Sequence, residues 1–193
     1  EPLSVALHAV RRAGSLAGAR VLVTGCGPIG SLCVLAARWA GAAEVVATDI
    51  TDQTLARARL VGADHTINTA TTPEGLDAYK ANKGHFDVLI EASGNAKALV
   101  AAFEVLRPRG VMVQVGTGGD TTIPMNVLVA KEFEWRGTFR FHEEFALAVA
   151  LMNQRRVDVK PLISHSLPHT EFAQAFALAA DRTQSMKVQL SFA

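Results

Sequence analysis

Residues 25–30 read Gly25-Cys26-Gly27-Pro28-Ile29-Gly30, a G-x-G-x-x-G spacing that can fold backbone around a diphosphate. The spacing alone is weak. Here an apolar run, Val21-Leu22-Val23, precedes it, and a helical pattern follows over about Ile29–Ala40. An acid, Asp49, closes the next apolar run 19 residues after Gly30. Strand, tight turn, helix and a second strand ending in a carboxylate make up the unit that binds a dinucleotide. Gly25 permits the turn, Gly27 lets backbone approach a pyrophosphate, and Gly30 allows close helix–strand packing, with Pro28 and Ile29 between them as further cofactor candidates. The helix start adds unpaired N–H groups and the positive end of a dipole. Asp49 is placed to accept hydrogen bonds from the adenosine ribose and to repel a 2′-phosphate. Since Ile50-Thr51-Asp52 offer no arginine for that phosphate, NAD is expected over NADP. Asp49 could instead cap the next helix, a task open also to Thr51 or Asp52.

Other strand ends should line the same crevice: Glu91-Ala92-Ser93-Gly94, Val115-Gly116-Thr117-Gly118-Gly119 and Thr138-Phe139-Arg140. Small residues in the first two let a nucleoside or nicotinamide ring lie against backbone, which makes Ser93, Val115, Gly116 and Thr117 cofactor candidates. Arg140 could grip a carboxylate bidentately, or be a solvated side chain paired with Glu143 or Glu144. The six histidines, His8, His65, His85, His142, His165 and His169, have no metal spacing, and no HExxH or GxSxG is present. The chain thus carries a cofactor cradle without a self-sufficient acid, base or metal site.

The elements that must position these residues alternate strand and helix, the pattern of an α/β, doubly wound parallel sheet of the Rossmann type. Strands are predicted at Val21–Val23, Val45–Thr48, His65–Ile67, Phe86–Ile90, Gly110–Val115 and Phe133–Phe139. Helices are predicted over Ile29–Ala40, Gln53–Val61, Lys97–Leu106 and His142–Asn153. Right-handed crossovers put all six carboxyl ends on one edge. Past Arg155 the rhythm changes: a strand between Pro161 and Pro168, a helix over Thr170–Ala180 with Thr170 as N-cap, and a last strand over Lys187–Phe192. The division expected is a linking helix over 1–13, a dinucleotide-binding domain over 14–154 and a separate segment over 155–193.

The 19 Lys and Arg against 18 Asp and Glu give a net charge of +1, and the basic residues form scattered pairs without interleaved aromatics, so no nucleic-acid partner is expected. An apolar share of 49% excludes disorder. The longest apolar run, Phe145–Met152, has eight residues against the ~20 of a membrane span. Two cysteines, Cys26 and Cys33, fit a reducing cytoplasm rather than a disulfide scaffold.

Taken together, Glu1-Pro2-Leu3-Ser4-Val5-Ala6-Leu7-His8-Ala9, the Gly25–Gly30 turn, Ala42–Asp49, Gly110–Gly116, Arg136–Phe141 and Lys187–Leu190 resemble the zinc-dependent medium-chain dehydrogenases, in their polyol branch. The resemblance covers essentially the whole chain. It implies a preceding GroES-like catalytic domain that carries most zinc ligands, with residues 155–193 returning to it, so that this chain alone is inactive. The reaction implied is NAD-linked oxidation of a secondary alcohol in a sugar acid or polyol, threonine being an alternative substrate within the family. A rival is an NAD-binding module without chemistry of its own. Carried over by position, Glu1 lies next to the zinc-bound water, as a weak or water-mediated metal contact. Val115-Gly116-Thr117 and Thr138-Phe139-Arg140 flank the nicotinamide half, and Arg140 and Phe141 lie near substrate. Thr54 departs from the family, many of whose members place an arginine there over the adenine. Family behaviour also implies a homodimer or homotetramer formed near the sixth strand. In the isolated chain, Leu162, Leu167 and Val188 should expose apolar area.

Overall fold

A computed structural model describes residues 1–192. Six strands form one parallel sheet: β1 Arg20–Thr24, β2 Glu44–Asp49, β3 His65–Asn68, β4 Phe86–Glu91, β5 Leu106–Gln114 and β6 Glu134–Gly137, in the order β3-β2-β1-β4-β5-β6. Val21, Leu22 and Val23 are wholly buried, as are Val45, Val46 and Ala47, because helices cover both faces; this is why these runs are apolar without alternation. Register aligns the strand ends. Thr24 pairs with Thr48 and Glu91, Glu91 with Gln114, and Gln114 with Gly137. Strand order reverses between β1 and β4, so a crevice opens at the carboxyl edge where they part.

On one face lie α1 (Pro2–Ala13), α2 (Pro28–Trp39), α3 (Asp52–Leu60) and α6 (Glu144–Asn153), sharing a core with Val21, Val23, Ile90 and Val113. On the other lie α4 (Ala96–Val105), the 3-10 turn Pro73–Tyr79 and α5 (Met125–Lys131), around Phe86, Phe103 and Met112. The seven-residue α5 has no counterpart in the sequence reading, since its Val127-Leu128-Val129 run is strand-like. Lys131 at its end donates from Nζ to the carbonyls of Phe103, Glu104 and Leu106, closing the last turn of α4. The sixth strand is shorter than predicted: Gly137 ends it, and 138–143 form a connection in which Arg140 is left-handed at φ 54°.

The tail folds as β7 (His165–Pro168), α7 (Phe172–Ala180) and β8 (Val188–Ser191), the strands forming a separate parallel pair. Thr170 is not its N-cap. A 3-10 turn over His169–Glu171 shifts the helix start to Phe172, with Glu171 as N-cap. Leu162 and Leu167 are buried, contrary to expectation, and Val188 is half-buried. Leu162 and Met186 join the core with Leu55 and Ala58 of α3, where Arg57 donates to Pro161 O at 2.7 Å and Gln53 to Gln184 O at 2.8 Å. The exposed apolar surface of the tail is instead aromatic: Phe172, Phe176 and Phe192. Among the described residues no helix is long and apolar enough to cross a membrane.

Candidate functional site

The glycine turn leaves β1 at the reversal of strand order. Gly25, at φ 82°, donates its N–H to Thr48 O at 2.8 Å, and a Cβ there would stand 2.7 Å from Ser93 Cα. A Cβ on Gly30 would stand 1.7 Å from the Gly25 carbonyl oxygen, so the close approach it allows is of helix to turn. Gly27 is different. A Cβ on it meets nothing within 4 Å, leaving its face open. It is the N-cap of α2 with Pro28 at the first helical position, and no side chain caps the helix. The orphan amides of that first turn therefore point at the open face of the turn.

Asp49, half-buried at the end of β2, ties this turn to its own strand. Its Oδ2 accepts from Cys26 N at 2.6 Å, and its Oδ1 accepts from Ile50 N at 2.8 Å and Thr51 N at 3.0 Å. It does not cap α3; Thr51 occupies that position, without a side-chain bond. Oδ1 is taken by two amides, but Oδ2 accepts only one bond and keeps a second lone pair for a ribose hydroxyl. Asp52 accepts from Asn68, and Thr54 donates to Thr51 O at 2.7 Å.

Glu91, expected only as part of a strand end that lines the crevice, is a central side chain of the site. It is wholly buried, and among the described residues no cation pairs with it. Its carboxylate accepts from Ser93 N at 2.9 Å, Gly94 N at 3.1 Å, Gln114 Nε2 at 2.5 Å and the Ser93 hydroxyl, while its carbonyl accepts from Val115 and Gly116 N. It thus holds together the loops after β4 and β5, among them Ser93, Val115 and Gly116. The available signal was an acid ending an otherwise apolar strand just before Ser-Gly. Beside it lies a cleft of about 370 Å³ lined by Glu91, Gly94, Gln114, Gly116, Thr117 and Trp135. Two buried oxygens nearby, Gln114 Oε1 and Thr138 Oγ1, lack partners. Thr138 N donates to Gln114 O at 3.1 Å, joining the ends of β5 and β6.

Arg140 pairs with neither Glu143 nor Glu144; its guanidinium lies 5.3 Å from the centre of the exposed Phe139 ring. Arg11 of α1 takes those acids, at 2.9 and 3.0 Å. Phe141 stacks on Phe145 at 5.7 Å. Glu144 is 3% exposed, and burial alone would push its carboxyl up, but the His142 amide, Arg11 and His8 overcome this and hold it at about 2. Against the ordinary 4.5, that stability is complete above about 4.5 and is lost as pH falls towards 2. Glu144→Gln should therefore flatten the acid limb of a plot of Tm against pH in that window; an unchanged limb would remove this role.

Glu1 heads α1, its carbonyl accepting from Ser4 N at 2.9 Å while its exposed side chain makes no capping bond. Among the described residues no three His, Cys, Asp or Glu gather to hold a metal. Burial pushes both thiols up, Cys33 to about 12, so neither is a ready ligand or nucleophile. A zinc ion thus does not fit the described residues. A dinucleotide does: the uncapped amides of α2, the open face of Gly27 and the unpartnered Thr138 Oγ1 all lie along the carboxyl edge.

The family described as zinc-binding dehydrogenase matches residues 28–154. L-idonate 5-dehydrogenase (NAD(P)(+)) of Escherichia coli K12 is 44% identical over 193 residues, which is 100% of this chain and 56% of that protein. Its crystal structure superposes with a TM-score of 0.93, covering 100% of this chain and 55% of that one. Sorbitol dehydrogenase of Gallus gallus is 35% identical over 98% of this chain and 54% of its own length. A crystal structure named as a short chain alcohol dehydrogenase of E. coli CFT073, complexed with NADH, has a TM-score of 0.89 at 25% identity, covering 100% of this chain and 58% of that one. The chain thus spans about half the length of the relatives it matches.

Proposed function

The chain belongs to the zinc-binding dehydrogenase family, and from that premise we propose that it is the cofactor-binding portion of an NAD-dependent enzyme oxidising a secondary alcohol of a sugar acid or polyol. The substrate proposed is L-idonate, oxidised at carbon 5 to 5-ketogluconate. The observation that carries the reading is the joint between Asp49 and Cys26 N at 2.6 Å, which sets the acid closing β2 against the open glycine turn. The 44% identity to an L-idonate 5-dehydrogenase along the whole chain supports the narrower substrate.

NAD, when bound, supplies the hydride acceptor. The amides opening α2 bind its diphosphate, and Asp49 orients the adenosine ribose. Ser93, Val115, Gly116 and Thr117 form the wall for the nicotinamide half, with Thr138 Oγ1 offering it a hydrogen bond and Phe139 closing the edge. Arg140, free of carboxylate partners, grips the substrate carboxylate, and Phe141 shields it from water. Residues 155–193 return to a catalytic domain, beyond 14–154, in which zinc would be held. Glu1 faces that metal site, and unchanged turnover in Glu1→Ala would remove it from the machinery. The unpaired edge of β6 suits pairing with a second copy, as a homodimer or homotetramer in the cytoplasm; light scattering from a monomer would contradict this.

The deciding experiment follows NADH absorbance with the complete chain, residues preceding Glu1 included and zinc supplied, on L-idonate, D-gluconate, sorbitol, xylitol and L-threonine. Preference for L-idonate supports the proposal; turnover of a polyol alone replaces the substrate. Silence on all five with NAD bound favours a non-catalytic module. Arg140→Ala should raise KM for the sugar acid about 10- to 100-fold, the value of a charge-assisted contact, and leave polyol turnover alone. Asp49→Asn should weaken NAD about tenfold and narrow its lead over NADP, read by NADH and NADPH fluorescence titration; an unaltered ratio would deny Asp49 the selecting role.

A further inference from the structure

The segment 138–143 carries Arg140 in a left-handed conformation that an unbranched L-residue adopts only when its surroundings impose it. Both ends of the segment are fastened to one helix. At its start, Arg12 Nε donates to Gly137 O at 3.0 Å, while Arg136 Nη1 returns a bond to Arg12 O at 2.7 Å. At its finish, the Glu144 carboxylate accepts from His142 N at 2.8 Å and from Arg11 Nη1 at 3.0 Å, with His8 Nδ1 at 3.3 Å. His8 and His142 meet edge to face at 5.2 Å, and exposed Glu143 shares Arg11.

We propose that Glu144 is a positioning residue, whose buried carboxylate locks the 138–143 segment onto α1 and thereby fixes Arg140 and Phe141 relative to Glu1. A buried carboxylate is costly unless paired and hydrogen-bonded, and this one takes Arg11 from α1 and the His142 amide from the segment itself. The inference rests on the reading of Arg140 and Phe141 as substrate-side residues. The lock itself is independent of that reading, because it is a statement about backbone order.

Two readouts on the complete chain separate the two. Hydrogen–deuterium exchange of peptides covering 138–143 should accelerate at least tenfold in Glu144→Gln, with peptides over 21–30 unchanged. Equal exchange in both regions would overturn the lock whatever the activity. In the same variant, KM for the sugar acid should rise about tenfold, while NADH affinity stays within twofold. A parallel loss of NADH binding, or an unchanged KM alongside faster exchange, would overturn the positioning role. If the unaltered enzyme turns over no sugar acid, the substrate reading fails and exchange still decides the lock. Arg11→Gln, removing one donor from outside the segment, should give the same pattern at reduced size if Glu144→Gln folds poorly.

Discussion

Gly30→Ala is expected to destabilise the protein by about 3 kcal/mol and to weaken dinucleotide binding at least about 100-fold. The added methyl would lie 1.7 Å from the Gly25 carbonyl oxygen. That neighbour is backbone and cannot swing aside, so the turn must move away from α2. The turn cannot move freely either, since Gly25 rests against the Ser93 backbone and Cys26 N is held by Asp49. For a chain of this size the thermal midpoint should fall by roughly 6–12 °C. Gly27→Ala is the matched control: a methyl there meets nothing within 4 Å, and φ is an ordinary −61°. It should leave the midpoint within about 1 °C. It should still reduce dinucleotide affinity, because the methyl occupies the face assigned to the diphosphate. Calorimetry with NADH titration reads both, and equal behaviour of the two variants would refute this division of labour.

Glu91→Leu is expected to cost about 4 kcal/mol, because several neutral donors lose one acceptor at roughly 1–3 kcal/mol each. Leucine fits the volume but accepts no hydrogen bond. The amides of Ser93 and Gly94 and the Gln114 side chain would all lose the acceptor that gathers them. Gln114 already carries one unpartnered oxygen, and its Nε2 would keep only the Gly116 carbonyl, at 2.8 Å. Glu91→Gln keeps the shape and one acceptor and should cost about half as much. A thermal midpoint for Glu91→Leu within about 2 °C of the parent would show that the network is not what orders the strand ends.

Much of this was legible in the sequence, and the exceptions have physical causes. The six strands and their common carboxyl edge follow from apolar runs separated by helical periods. The glycine turn could be read because few residues other than glycine satisfy a positive φ and a contact as close as that between Gly30 and Gly25. The connection after β6 was absorbed into the strand because Thr138 and Phe139 have strand-forming side chains; what ends β6 is tertiary, the bonds from α1. Leu162 looked exposed because its partners, Leu55 and Ala58, lie some hundred residues earlier in the chain. Thr170 looked like a cap because its residue type favours one, yet a 3-10 turn moves the helix start beyond it. Glu91 and Glu144 were passed over as site residues for a shared reason. A buried carboxylate is identified by the donors around it, and the side chains that complete each set, Gln114 for Glu91 and Arg11 for Glu144, come from distant segments.

The tail has a consequence for how the molecule is made. β7 and β8 run parallel, so no tight turn can join them, and the chain must pass through α7 before β8 can pair. Their seat is α3, which receives Pro161 and Gln184 through Arg57 and Gln53. During synthesis from the amino end, the Leu55–Ala58 side of α3 therefore stays wet until Leu162 and Met186 have left the ribosome. The six-stranded sheet can close before its flank is sealed. A nascent chain stalled before Met186 would present that flank to chaperones, an identifiable point of vulnerability in its biogenesis.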